Sequence, residues 1–150
     1  MRVAVGSDHA GFVLKTILVE HLGTLGHEVV DLGTHSEERV DYPDYGAAVG
    51  RAVAGGEVEF GVAVCGSGIG IAMAAGKVPG VRAATVHDVT SARLTRQHND
   101  ANVLCLGERL IGVEVARGAL EVFLTTDFDG GRHSARVAKL AELDLGANDR

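Results

Sequence analysis

Cysteine is scarce in this chain: 150 residues contain only Cys65 and Cys105, both inside apolar runs, VAVC and VLCL. Two such residues suit buried thiols in a reducing compartment better than the disulfide framework of a secreted protein. No run approaches the roughly 18 apolar residues of a membrane span. The N-terminal apolar stretch turns polar after five residues, too short for a signal peptide. These absences lead to an expectation of a cytoplasmic protein with no membrane partner. Excess positive charge is also missing. A net charge of −6 argues against a nucleic-acid partner, although an acidic protein can still hold a small anion in a local cationic pocket. Seven histidines occur, yet no H-x-H, H-E-x-x-H or C-x-x-C spacing does, so no metal is expected. The hydrolase elbow G-x-S-x-G is absent too.

What is present is an alternation of apolar runs with helical patterns, the mark of an α/β domain. Strands are expected at Arg2–Gly6, Glu28–Leu32, Phe60–Cys65, Val81–Val86 and Val103–Leu106. Phe60–Cys65, apolar throughout, reads as central. Helical spacing runs from Leu14 through Leu25 with Gly26 as a stop, then over Tyr45–Ala54, from the glycine loop to near Pro79, and over Thr90–Gln97, Val113–Leu124 and Ala135–Leu143. Gly33–Pro43 reads as a polar loop, and a polar tail is expected from about residue 144. The expected fold is a single three-layer α/β/α Rossmann-like domain over 1–150, built on a mostly parallel five-stranded sheet. In such sheets ligands bind at the carboxyl ends of strands.

The unusual residues fall at those ends. Cys65-Gly66-Ser67-Gly68-Ile69-Gly70 follows the third strand, and alternating glycines let a backbone approach a ligand and aim several N–H groups at it. That suits a phosphate or a developing oxyanion, and it favours a thiolate at the loop's edge. A tight turn with a buried cysteine is the plainer alternative. A dinucleotide reading fits Gly66, Gly68 and Asp88 less well, because the third glycine of G-x-G-x-x-G falls on Ile71 and the loop follows the third strand, not the first. Asp8 and His9 follow strand one, as a site pair or as a helix cap and a surface residue. His98, in RQHND, is a proton carrier near neutral pH or simply part of a helix stop with Asn99 as C-cap. Arg132 and Arg136, at i and i+4, share a helix face that either grips a phosphate or is a solvated basic face. Arg109 is a weaker candidate of the same kind, and Cys105 reads as core.

Taken together, five ordered segments resemble the type B ribose-5-phosphate isomerases, which share a superfamily with galactose-6-phosphate isomerase subunits. They are GSDHAGF from Gly6, DYPDY at Asp41–Tyr45, CGSGIGIAMAAGK at Cys65–Lys77, RQHNDANVLCLGER at Arg96–Arg109 and GGRHSARV at Gly130–Val137. The resemblance implies cofactor-free aldose–ketose isomerisation through a cis-enediolate, with ribose 5-phosphate as the default substrate. Galactose or allose 6-phosphate and erythrulose 4-phosphate are alternatives, and a nucleotide-binding module is a more distant one. It implies Cys65 as the base, His98 as the ring opener helped by Asp8, and Ser67 with the N–H groups of Gly66 to Gly70, Gly68 and Ile69 included, as the enediolate cradle. His9, Arg132 and Arg136 would grip the phosphate, and Tyr42, Asn99 and Arg109 would contact the sugar. It further implies a homodimer, or a dimer of dimers, with each site shared and His98 through Arg136 supplied by the partner. Some relatives use a glutamate on the helix after the glycine loop; Ile71–Lys77 has no carboxylate, which leaves Cys65 as the base on offer.

Overall fold

Three of the apolar runs are buried along almost their whole length, as strands covered on both faces must be. They are β1 (Arg2–Ser7), β3 (Phe60–Cys65) and β5 (Val103–Gly107). In the computed structural model, which describes residues 1–146, they pair with β2 (Glu28–Asp31) and β4 (Ala83–Thr85) in one five-stranded sheet of order β2-β1-β3-β5-β4. Every pairing is parallel, and β3 is central. Val5 sits opposite Val62, and Ala63 opposite Cys105.

Side-chain alternation divides each strand between two cores. Val3, Val5, Val62, Val64, Leu104 and Leu106 face Leu14, Leu18 and Leu22 of α1 (Phe12–Thr24), Ala92 of α4 (Val89–Asn99), and Ala119, Leu120 and Phe123 of α5 (Val113–Thr125). Ala4, Ala63, Cys65, Val103 and Cys105 face Val49 and Ala52 of α2 (Tyr42–Ala54) and Ile71 and Ala75 of α3 (Ile69–Ala75). The expected α/β/α layering is therefore present. A last helix, α6 (Ser134–Gly146), follows a 3-10 turn at Gly131–His133. No helix among the described residues is long and apolar enough to cross a membrane.

Several boundaries differ from expectation for local reasons. β4 has three residues rather than six: Val81 and Val86 are buried but lie outside the ladder. α2 starts at Tyr42 rather than Tyr45, because Pro43 is tolerated in a first turn, where its missing N–H costs nothing. α4 runs two residues past Gln97, and its C-cap is Asp100 rather than Asn99. Asp100 takes the left-handed conformation (φ 46°) and is pinned by Arg82 and Arg96, whose guanidinium groups donate to its carboxylate at 3.0 and 2.8 Å. α6 continues to Gly146, into the segment expected to be tail; residues 147–150 of that segment lie outside the described residues.

Candidate active site

The chain reverses direction in the sheet between β1 and β3: the connection leaving β1 leads to one side, and that leaving β3 to the other. A crevice opens at the carboxyl ends of these two strands. Two turns line it, and each is held by its own polar residue. After β1, Asp8 is extended and its Oδ1 accepts from the amides of Ala10 and Gly11 at 3.0 and 3.1 Å. It is thus both the cap of the 3-10 turn His9–Gly11 and a wall of the crevice. His9 is tied to the polar loop: its Nδ1 lies 3.0 Å from the carbonyl oxygen and 3.2 Å from the amide nitrogen of Val40. Whichever of these Nδ1 serves, Nε2 is the ring nitrogen left for a ligand.

After β3, the glycine loop folds over the end of Cys65. The Gly68 amide donates to Cys65 Sγ at 3.1 Å, a contact that stabilises negative charge on sulfur. The Ile69 amide donates to Ser67 Oγ at 3.2 Å. Two of the loop's N–H groups are therefore already committed to its own side chains, fewer remaining for a ligand than the glycine pattern alone promised. The three glycines have three different causes. Gly68 has φ +75°, and a Cβ there would lie 2.8 Å from the carbonyl carbon of Leu106. At Gly66 a Cβ would lie 3.2 Å from the Arg109 guanidinium, and at Gly70 2.8 Å from the Tyr42 ring. The loop is pinned from outside as well: Thr85 Oγ1 donates to the Gly68 carbonyl at 2.9 Å, and the Glu108 and Arg109 amides donate to the Cys65 and Gly66 carbonyls at 3.0 Å.

The result is a cavity of about 330 Å³ lined by Asp8, His9, Tyr42, Cys65, Gly66, Ser67, Gly70 and Arg109, with Ala10 and Leu110. Cys65 is 4% exposed at its floor. Two cationic or potentially cationic groups, His9 and Arg109, share this space with one thiol and one carboxylate. A small phosphorylated molecule fits both the volume and the charge. Cys105 is fully buried in β5, and burial pushes its thiol up, out of the reactive range. It is core, as expected. Ile71, where a dinucleotide loop needs its third glycine, is fully buried in the α2/α3 core.

The other candidates lie elsewhere. α4 leaves the carboxyl end of β4 and returns to the amino end of β5, so His98 and Asn99, in its last turn, sit at the opposite edge of the sheet. Eleven helical residues span about 16 Å. The segment after α5 joins them there, since the Asp129 amide donates to the Gln97 carbonyl at 3.0 Å. Arg132 lies inside the 3-10 turn that leads into α6, and Arg136 lies on α6 itself. Their charges still act together on His133. Burial first, then the charges of His98, Arg132 and Arg136, hold the His133 imidazolium below its usual range, against an opposing pull from Asp129. The His98 and His133 rings stack, with centroids 4.4 Å apart and planes within 13°. The end of α4 is anchored by Arg96, whose guanidinium lies over Phe60 at 4.8 Å and donates to the Ala101 carbonyl at 2.6 Å.

Sequence spacing offered no metal motif, but folding gathers His98, Asp129 and His133, with one ligand atom of each within 4.8 Å of the others. The two rings lie in near-parallel planes, and the charges of two arginines bear on the same place. Positive charge beside a ring stack disfavours a bound cation there. His133 and Thr85 are the residues that sequence reasoning passed over. Only the place of His133 between Arg132 and Arg136, just after two glycines, hinted at it.

The sequence model of a family described as Ribose/Galactose Isomerase matches residues 3–140. The chain is 46% identical over 147 residues to ribose-5-phosphate isomerase B of Escherichia coli strain K12, covering 98% of this chain and 99% of that one. Its fold superposes on ribose-5-phosphate isomerase B of Clostridium thermocellum with a TM-score of 0.97, at 46% identity and with 98% and 99% of the two chains covered. It superposes on ribose-5-phosphate isomerase B of Mycoplasma genitalium, solved with bound ribulose-5-phosphate, with a TM-score of 0.91, at 40% identity and with 96% of each chain covered.

Proposed function

The chain belongs to the ribose/galactose isomerase family, and on that premise we propose that it interconverts ribose 5-phosphate and ribulose 5-phosphate with Cys65 as the carbon base. The observation that carries this reading is the floor of the crevice, where a thiol receives a backbone N–H at 3.1 Å inside a cavity walled by His9, Tyr42 and Arg109. A carbon acid beside a carbonyl needs an anionic base and a stabilised product anion, and the same loop serves both needs.

In the proposed sequence, His98 with Asp8 moves the anomeric hydroxyl proton to the ring oxygen and opens the furanose. The Cys65 thiolate then takes the C2 proton, and the electron pair moves onto the carbonyl oxygen to give the cis-enediolate. Ser67 and the free loop amides hold that anion. The proton on sulfur returns to C1 while the O2 hydroxyl proton passes to O1, so the ketose forms with no net gain or loss of atoms. Tyr42, Asn99 and Arg109 contact the sugar, and His9, Arg132 and Arg136 hold the phosphate.

This assignment needs two copies of the chain. Cys65 ends β3 at the carboxyl edge of the sheet, whereas His98 lies in the last turn of α4, which carries the chain about 16 Å back toward the amino edge. A homodimer in which the amino edge of one chain meets the carboxyl edge of the other would complete two sites at once.

The test compares kcat/KM for ribose 5-phosphate with that for allose 6-phosphate, galactose 6-phosphate and erythrulose 4-phosphate, alongside a titration with NAD(H). Ribose 5-phosphate should be preferred, and NAD(H) should not saturate the protein. A higher kcat/KM for a six-carbon or four-carbon phosphate would move the substrate within the family. Saturable NAD(H) binding with no isomerisation would refute the reading.

A further inference from the structure

His133 is buried, yet the isomerisation chemistry assigns it no part. Its surroundings come from four places: His98 at the end of α4, Asp129 in the connection before the 3-10 turn, Arg132 within that turn, and Arg136 on α6. Its own backbone is fixed, since the His133 amide donates to the Gly130 carbonyl at 3.0 Å. Its ring covers one face of the His98 ring almost in parallel. A side chain in the last turn of a helix, with one face against a fixed ring, has lost most of its freedom to rotate about χ1 and χ2.

We propose that His133 is a positioning residue for His98, its stacked imidazole holding the His98 ring at the angle from which it exchanges a proton with the sugar ring oxygen. The proposal rests on the reading of His98 as the ring opener. Stacking of this kind is favourable when at most one ring is charged and repulsive when both are. The burial of His133 and the two arginines beside it disfavour its protonation. A phosphate dianion on Arg132 and Arg136 would offset their charge and raise the affinity of His133 for a proton, which links substrate binding to the state of the stack.

The test is a double-mutant cycle with a spectroscopic arm. His133→Ala should lower kcat on cyclic ribose 5-phosphate by about tenfold with little change in KM, the scale of coupling between residues in contact. His133→Phe, which keeps a flat ring in the same place but cannot titrate, should recover most of that loss. In a His98→Asn background, His133→Ala should cost nothing further. Proton exchange at the reacting carbon of acyclic ribulose 5-phosphate should be unaffected in every His133 variant. Imidazole NMR should show the His98 resonances displaced in His133→Ala and near their original place in His133→Phe. Additive losses in the His98→Asn background would overturn the proposal, as would a rise in KM alone, which belongs to a phosphate contact. A loss in His133→Phe equal to that in His133→Ala would overturn it too, including where His133→Ala fails to fold. If His98→Asn leaves turnover of the cyclic substrate intact, the reading of His98 fails instead, and the NMR arm separates that outcome from failure of the stack.

Discussion

Gly68→Ala is the smallest change that should disable the crevice without touching a reactive group. Gly68 sits at φ +75°, where an ordinary L residue is strained by about 1–2 kcal/mol. Its new Cβ would also fall 2.8 Å from the Leu106 carbonyl carbon and 3.0 Å from the Gly107 nitrogen, both backbone atoms of the central sheet. Neither neighbour can give way, so the loop must. The amide that moves is the one donating to Cys65 Sγ at 3.1 Å. A hydrogen bond to a charged group contributes about 1.5–3 kcal/mol, so losing it should lower kcat by roughly 10- to 150-fold. The assay is ketose formation from ribose 5-phosphate, with thermal denaturation measured in parallel. Gly23→Ala is the control: a Cβ there meets nothing within 4 Å in the last turn of α1, and the change should stabilise the fold by at most about 0.5–1 kcal/mol and leave kcat unchanged. A folded Gly68→Ala protein with kcat within about twofold of wild type would refute the argument that this amide supports the reacting sulfur.

Cys65→Ala should lower turnover by about 100-fold or more, the scale of a lost general base, whereas Cys105→Ala should act on stability. Iodoacetamide at pH 8 should inactivate the protein through Cys65 and spare Cys105, whose thiol burial holds high; mass spectrometry showing Cys105 alkylated in the native protein would contradict this. His98→Asn should slow a cyclic aldopentose phosphate strongly and exchange of the ribulose 5-phosphate C–H proton much less, and equal losses on both would count against ring opening. At Asp88, which caps α4, hydrogen bonds from the Ser91 backbone and side chain hold the carboxyl below its ordinary 3.8. A folded-state value below the unfolded one means the carboxylate's stabilisation is complete above pH 3.8 and fades as pH falls through the lower, folded value. The stability gap between wild type and Asp88→Asn should therefore narrow in acid; a gap that widens as pH drops would reverse the sign.

Much of the sheet was legible because strands buried on both faces read as unbroken apolar runs, as in FGVAVC and VLCLG. The order of those strands was not legible: β5 inserts between β3 and β4, and nothing in Ala83–Thr85 announces an edge. The crevice was legible where its residues sit within a few positions of a strand end, as Asp8, His9, Cys65 and Ser67 do. It was illegible where a long-range contact supplies the reason. Gly70 is a glycine because of Tyr42, 28 positions away, and Gly66 because of Arg109. Spacing placed Arg132 and Arg136 on one helix, whereas Arg132 falls in the 3-10 turn that leads into it. The His98–His133 stack joins residues 35 positions apart, beyond the reach of any local pattern.

Subunit mixing bears on both halves of the site together. Cys65→Ala chains lack the proposed base, and Arg136→Ala chains lack a phosphate contact supplied from the opposite edge of the sheet. Each should be inactive or nearly so alone. After subunit exchange, confirmed by native mass spectrometry, random pairing gives about half mixed dimers, each with one complete site of two, so activity should return to about a quarter of the wild-type level. Proven exchange with no recovery would contradict a site shared between chains, and with it the assignment of Cys65 and the His98–Arg136 segment to one reaction.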